Sequence, residues 1–178
     1  MKNVKIVVAG VGNVGSHFVR LMSEKKGVEM AAVVDIDPKK IGTDAGAATG
    51  EPLGLIITGD LVKACQEHRP DLVVAMTTPT SARKAYEEMI PVLEMGIDVL
   101  VPNMGTSNLW ISEPELAAEI DTKCKEHGVS YLGIGATQVQ DRFILANTEG
   151  CSKIEKISFT HYADMHAFSD ESISHEWG

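Results

Sequence analysis

The chain has 178 residues, 44% hydrophobic and 23% charged, a mixture that excludes disordered and fibrous proteins. That length holds one core, or one domain of about 150 residues with a remnant attached, but not two full domains. Its formal charge of −9 repels phosphate backbones, which excludes nucleic acid as a partner and favours a small molecule.

Val4 to Ala9 is a short β-branched run that reads as a strand buried on both faces. It ends in Gly10-Val11-Gly12-Asn13-Val14-Gly15, after which Val14, Phe18, Leu21 and Met22 recur at helical spacing. A G-x-G-x-x-G pattern recurs by chance, but here it follows a strand and opens a helix. Gly10 permits the tight turn, Gly12 removes a Cβ that would block a pyrophosphate, and Gly15 lets the helix pack on the strand. The helix N-terminus, with Asn13 and Val14, offers N–H groups and partial positive charge to the phosphates.

Gly27 closes that helix, and Val28 to Val34 forms a second strand. Asp35 follows, 20 residues past Gly15, where a carboxylate can accept from adenosine ribose hydroxyls. Such an acid repels a 2′-phosphate, so NAD is the expected cofactor, with NADP possible. Lys39 and Lys40 either hold a phosphate, if their loop folds back, or begin a solvated helix.

A broken helix near Lys39 to Ala48 and a loop are expected next, then a short strand at Ile56-Ile57-Thr58. A helix over Leu61 to His68 stops at Arg69-Pro70, and Leu72 to Met76 is a strand. The spacing predicts a helix from Ser81 to Met95, kinked at Pro91, a strand over Ile97 to Val101, a helix over Glu113 to His127 with Pro114 in its first turn, and a strand over Val129 to Ile134. Phe143 to Ala146 reads as a short helix, and Ile154, Ile157 and Phe159 as a strand-like run.

Strands alternating with helices imply an α/β fold, a Rossmann doubly wound parallel sheet over residues 1–140. Ligands of such sheets bind beyond the carboxyl ends of the strands. Thr77-Thr78-Pro79 are therefore candidates to line the nicotinamide side, or are plain loop. Asn103-Met104-Gly105-Thr106-Ser107 and Gly133-Ile134-Gly135-Ala136-Thr137-Gln138 end the next two strands with polar side chains.

Cys65, Cys124 and Cys151 show no C-x-x-C spacing and suit reduced thiols. No stretch approaches the ~18 apolar residues of a membrane span, and the first residues lack a signal-peptide core. A cytoplasmic protein is expected. In the tail, His161, His166, His175, Asp164, Asp170 and Glu171 match no zinc template, so no metal site is expected. His161, Tyr162 and Asp164 are either acid–base groups at the cleft or surface residues. Trp110 and Trp177 line an apolar amine pocket, or Trp110 packs in the core.

Three segments carry a family resemblance: Lys5-Ile6-Val7-Val8-Ala9-Gly10-Val11-Gly12-Asn13-Val14-Gly15, the block from Val34-Asp35-Ile36-Asp37-Pro38 to Ala45-Gly46, and the spacing of Val92-Leu93-Glu94-Met95-Gly96-Ile97-Asp98-Val99. They resemble the dihydrodipicolinate reductase-like dehydrogenases, especially 2,4-diaminopentanoate dehydrogenase and the native amine dehydrogenases. The resemblance covers most of residues 1–160. It implies an NAD(P)-dependent oxidoreductase that reversibly deaminates an amine or amino acid, the imine product opening to a ketone and ammonia. It also implies a homodimer and a second, α+β substrate/dimerisation domain, which residues 141–178 begin and do not complete.

Where the family places acidic residues after the fifth strand, this chain has Pro102-Asn103-Met104-Gly105. Asn103 can contact cofactor, orient substrate or donate a hydrogen bond, but is no general base. With His161, it is the catalytic candidate the sequence offers. Two alternatives remain: a reductase of a cyclic imine or carbonyl in the same group, and a non-catalytic NAD-binding module.

Overall fold

The computed structural model describes residues 3–135, 137–160 and 162. Six strands, β1 (Val4–Ala9), β2 (Val28–Val34), β3 (Ile57–Thr58), β4 (Leu72–Ala75), β5 (Asp98–Val101) and β6 (Tyr131–Gly133), form one sheet in the order β3-β2-β1-β4-β5-β6. Every pairing is parallel; at the centre Val8 lies between Val33 and Val74. This is the doubly wound Rossmann order, in which the chain runs outward from β1 to one edge and then, from β4, to the other. The reversal between β1 and β4 opens a crevice at their carboxyl ends.

Period-two geometry sends the apolar residues of these strands to two separate cores. Val7, Val34, Val73, Val99 and Val101 face one cluster, and Ile6, Val8, Val33 and Ile57 the other. The first is covered by α2 (Leu61–His68), α3 (Ala82–Glu94) and α5 (Pro114–His127) through Cys65, Tyr86, Met89, Leu93, Leu116 and Ile120. The second is covered by α1 (Asn13–Ser23), through Phe18, Val19 and Met22, and by the loop residues Ala45, Leu53 and Leu55. Burial on both faces is why these strands read as unbroken apolar runs.

Side chains and glycines set the helix ends. The Asp60 carboxylate accepts the Lys63 N–H at 2.9 Å, and Ser81 Oγ the Lys84 N–H at 3.1 Å. Gly128 ends α5 at φ 66°. The expected kink notwithstanding, α3 continues without a break through Pro91, which lies on its exposed side.

Four expectations need correction. Residues 39–48 form turns and a single 3₁₀ turn, Ala47–Thr49, rather than a broken α-helix. The Asp44 carboxylate accepts the N–H groups of Gly46 (2.7 Å), Leu53 (2.8 Å) and Gly54 (2.8 Å), and Asp37 accepts that of Lys39 (2.9 Å). Short acidic side chains here take the N–H groups a helix would use. Second, Ile154, Ile157 and Phe159 lie in irregular chain and are half exposed; among the described residues no strand pairs with theirs. Third, the short helix expected at Phe143 to Ala146 is present but longer, as α6 (Thr137–Thr148). Fourth, of the two readings of Trp110, core packing does not hold: it is 63% exposed on the single-turn helix α4 (Leu109–Ser112).

Candidate functional site

A cavity of about 500 Å³ opens beyond the carboxyl ends of β1, β2 and β4, within the range of small-molecule sites. The glycine turn forms one wall, anchored by Gly10 N–H to Val34 O (2.7 Å). Its three glycines have three distinct reasons. Gly10 holds φ +96°, and a Cβ there would lie 2.6 Å from the Met76 carbonyl oxygen at the end of β4. A Cβ on Gly15 would collide with the Gly10 carbonyl oxygen, so only glycine lets α1 seat on the turn. A Cβ on Gly12 would meet no atom of the described residues within 4 Å; Gly12 lines the cavity, and the space kept there belongs to whatever the cavity takes.

Gly12 is also the N-cap of α1; it supplies no side-chain acceptor, and no acidic residue stands in the first turn. With Asn13, Val14 and Gly15 beginning the helix, no first-turn side chain supplies a carboxylate to its positive end, which suits an anion.

Asp35 is buried at the end of β2 and on the cavity wall. One oxygen, Oδ2, accepts the Val11 N–H at 2.8 Å and the Lys40 ammonium at 3.0 Å; Oδ1 accepts the Asp37 N–H at 2.9 Å. Burial pushes its pKa up, but the N–H groups of Asp37 and Val11 and the Lys40 charge outweigh that and hold it below the usual value. The carboxylate therefore ties the glycine turn to the β2 loop before any ligand arrives. Lys40 is not the start of a solvated helix: its loop folds back and sets its ammonium on the cavity, while Lys39 is exposed.

Thr77 and Thr78 line the opposite wall, and Pro79 follows just outside it. Asn103 is not on this wall. Its Oδ1 accepts the Gly105 N–H at 2.8 Å, and the Thr106 hydroxyl lies 3.1 Å from Val101 O and 2.7 Å from Asn103 O, fixing the turn after β5. Gly133 lies so close to the Thr106 carbonyl that a Cβ there would collide with it, so this turn and the end of β6 are packed together. His161 lies outside the described residues, as do Asp164, His166, Asp170, Glu171, His175 and Trp177. Among the described residues no three metal-ligating side chains converge, and no helix is long and apolar enough to cross a membrane.

Sequence reasoning missed Leu61, Glu88 and Met89, which α2 and α3 bring to the same cavity. No motif marks them, because their place follows from how those helices pack. A second cavity of about 430 Å³ lies between α4, α5 and β6, with Trp110 on its rim and Tyr131 in its wall.

The glycine turn, the acid after β2 and the crevice at the β1/β4 reversal are the parts of a dinucleotide site. Residues 4–102 match the family model of the dihydrodipicolinate reductase N-terminus. The chain belongs to that family. It is 31% identical over 162 residues to 2,4-diaminopentanoate dehydrogenase of Acetoanaerobium sticklandii, covering 88% of this chain and 45% of that enzyme. It is 28% identical over 117 residues to 4-hydroxy-tetrahydrodipicolinate reductase of Listeria monocytogenes, covering 65% of this chain and 43% of that one. An amine dehydrogenase from Mycobacterium smegmatis superposes with a TM-score of 0.72 at 26% identity, covering 86% of this chain and 45% of that one. The chain thus spans less than half the length of these relatives.

Proposed function

We propose that this chain is the nucleotide-binding part of an NAD(P)-dependent oxidoreductase acting on a carbon that bears an amine, in an amine or amino acid, and running reversibly toward the ketone and ammonia. The observation that carries the reading is the cradle at Gly12, open to the cavity beside the positive end of α1 and next to Asp35. Similarity to 2,4-diaminopentanoate dehydrogenase and to an amine dehydrogenase favours amine chemistry.

In this reading the glycine turn and the first turn of α1, with Asn13, Val14 and Gly15, hold the pyrophosphate. Asp35 meets the adenosine ribose with whatever acceptor capacity its three internal hydrogen bonds leave, and Lys40 stands ready for a 2′-phosphate. NAD is the expected cofactor, and the Lys40 ammonium makes NADP acceptable. When bound, the nicotinamide accepts or returns the hydride. Thr77, Thr78 and Pro79 border the cofactor. The turn after β5 faces substrate, Asn103 donating a hydrogen bond that orients it, and His161 is the acid–base candidate. Residues from about 141 onward begin the substrate/dimerisation domain of a cytoplasmic homodimer.

The test is absorbance of the reduced nicotinamide with NAD or NADP and a panel of amines, 2,4-diaminopentanoate among them. Amine-dependent reduction is expected. Turnover of cyclic imines alone would move the assignment to the reductase reading, which the similarity to 4-hydroxy-tetrahydrodipicolinate reductase favours. Cofactor binding with no turnover of any amine, ketone or imine would leave a non-catalytic module.

A further inference from the structure

We propose that Glu88, together with the Thr77 hydroxyl, reads the adenine edge of the cofactor and makes the site selective for adenine over hypoxanthine. This rests on the dinucleotide reading above. Besides Asp35 and Lys40, the cavity is lined by Glu88 on α3, whose Oε2 accepts from Thr77 Oγ1 at 3.3 Å, and by the apolar side chains of Ile36, Leu61, Met76 and Met89. A pyrophosphate at Gly12 and a ribose at Asp35 leave those apolar side chains to the base, since a flat aromatic ring suits an apolar slot.

Glu88 is exposed on α3 at the cavity and lies in the field of Lys84, one turn earlier, whose ammonium is bonded to Glu87 at 2.7 Å, so the Glu88 carboxylate keeps lone pairs for a ligand. A carboxylate facing a cofactor that carries phosphates is favourable only where it meets a donor. The donor on adenine is the exocyclic N6 amine, which lies beside a ring nitrogen that accepts. The Thr77–Glu88 pair presents the complement: a carboxylate oxygen for N6–H and a hydroxyl that turns to donate to the ring nitrogen. Hypoxanthine puts a carbonyl oxygen where the amine stood, and its lone pairs then face the carboxylate.

The test is equilibrium binding of NADH and of reduced nicotinamide hypoxanthine dinucleotide to the full chain, followed by nicotinamide fluorescence. The wild type is expected to prefer the adenine form by about tenfold, a typical worth for one polar contact at an open rim. Glu88→Gln, whose amide can donate to the carbonyl, is expected to erase or reverse that preference, with an unchanged circular dichroism spectrum. Thr77→Val is expected to weaken both cofactors. A preference that Glu88→Gln leaves intact, or none in the wild type, overturns the role of Glu88 while the dinucleotide reading stands. Binding of neither cofactor by a folded wild type overturns both.

Discussion

Replacing Gly12 or Gly15 by alanine adds one methyl group at positions three residues apart, with opposite consequences. At Gly15 the methyl collides with the Gly10 carbonyl and comes within 3.3 Å of Met76 Cβ. Overpacking of this kind costs about 1–3 kcal/mol, offset by up to about 1 kcal/mol from the helix propensity of alanine. The clash is with backbone, so the cost lies at the upper end and the net loss is about 2–3 kcal/mol; at about 2–4 °C per kcal/mol for a chain this size, Gly15→Ala is expected to lower Tm by roughly 4–12 °C. At Gly12 the methyl meets no atom of the described residues, and φ −69° suits any residue. Gly12→Ala should therefore keep Tm within about 2 °C, the small worth of an N-cap glycine. Its methyl occupies the space through which a pyrophosphate reaches the α1 N–H groups, so NADH affinity should fall tenfold or more, at least about 1.4 kcal/mol. Thermal unfolding by circular dichroism and titration of NADH fluorescence read the two effects independently. Equal loss of Tm in both variants would refute the assignment of Gly12 to the ligand, and so would native affinity in Gly12→Ala.

Other expectations follow from the same site and its supports. Because the folded-state pKa of Asp35 lies below its ordinary value of 3.8, the stability it supplies is present above about pH 4 and is lost as pH falls through the lower folded value. Asp35→Asn should be less stable than wild type at pH 7 in urea, and the gap should narrow below pH 4; a gap constant from pH 7 to pH 3 would contradict the carboxylate's role. Lys40→Ala should weaken NADPH by about fivefold or more and NADH by less than about twofold, the difference shrinking in high salt as a charge contact does. Equal losses for both cofactors would remove Lys40 from the 2′-phosphate. Among the described residues the buried Tyr131 hydroxyl has no hydrogen-bond partner, and its ring stands edge-on to Tyr86 at 6.1 Å. Tyr131→Phe keeps the ring contact and removes the orphan, so Tm should be unchanged or higher by up to about 4 °C. Burial pushes the Cys65 thiol up to about 11 and raises Cys124 as well, while Cys151 is exposed. A thiol reagent at pH 8 should accordingly modify Cys151 in the native chain and all three in denaturant.

The parts of this molecule that repeat locally could be read without coordinates. Val4–Ala9, Val28–Val34 and Leu61–His68 begin and end where the apolar runs and their flanking glycines or Arg69-Pro70 place them. Each boundary there is set by chemistry within a few residues. The turn roles of Gly10 and Gly15 were likewise legible, since the turn lies between a strand and a helix. Residues 39–48 were not, because the Asp44 carboxylate takes N–H groups up to ten residues away. The run from Ile154 to Phe159 is irregular for a related reason: an apolar β-type pattern becomes a strand only when another strand lies beside it.

The sequence by itself determined the α/β class, the strands, the glycine turn and the acid at position 35, because these rest on period, turn chemistry and spacing along the chain. Only the tertiary structure decided what surrounds that acid. Val11, Asp37 and Lys40 converge on one carboxylate, and α3 carries Glu88 to the same cavity. Contacts between elements remote in sequence leave no local signature, since the packing of helices on the sheet creates them.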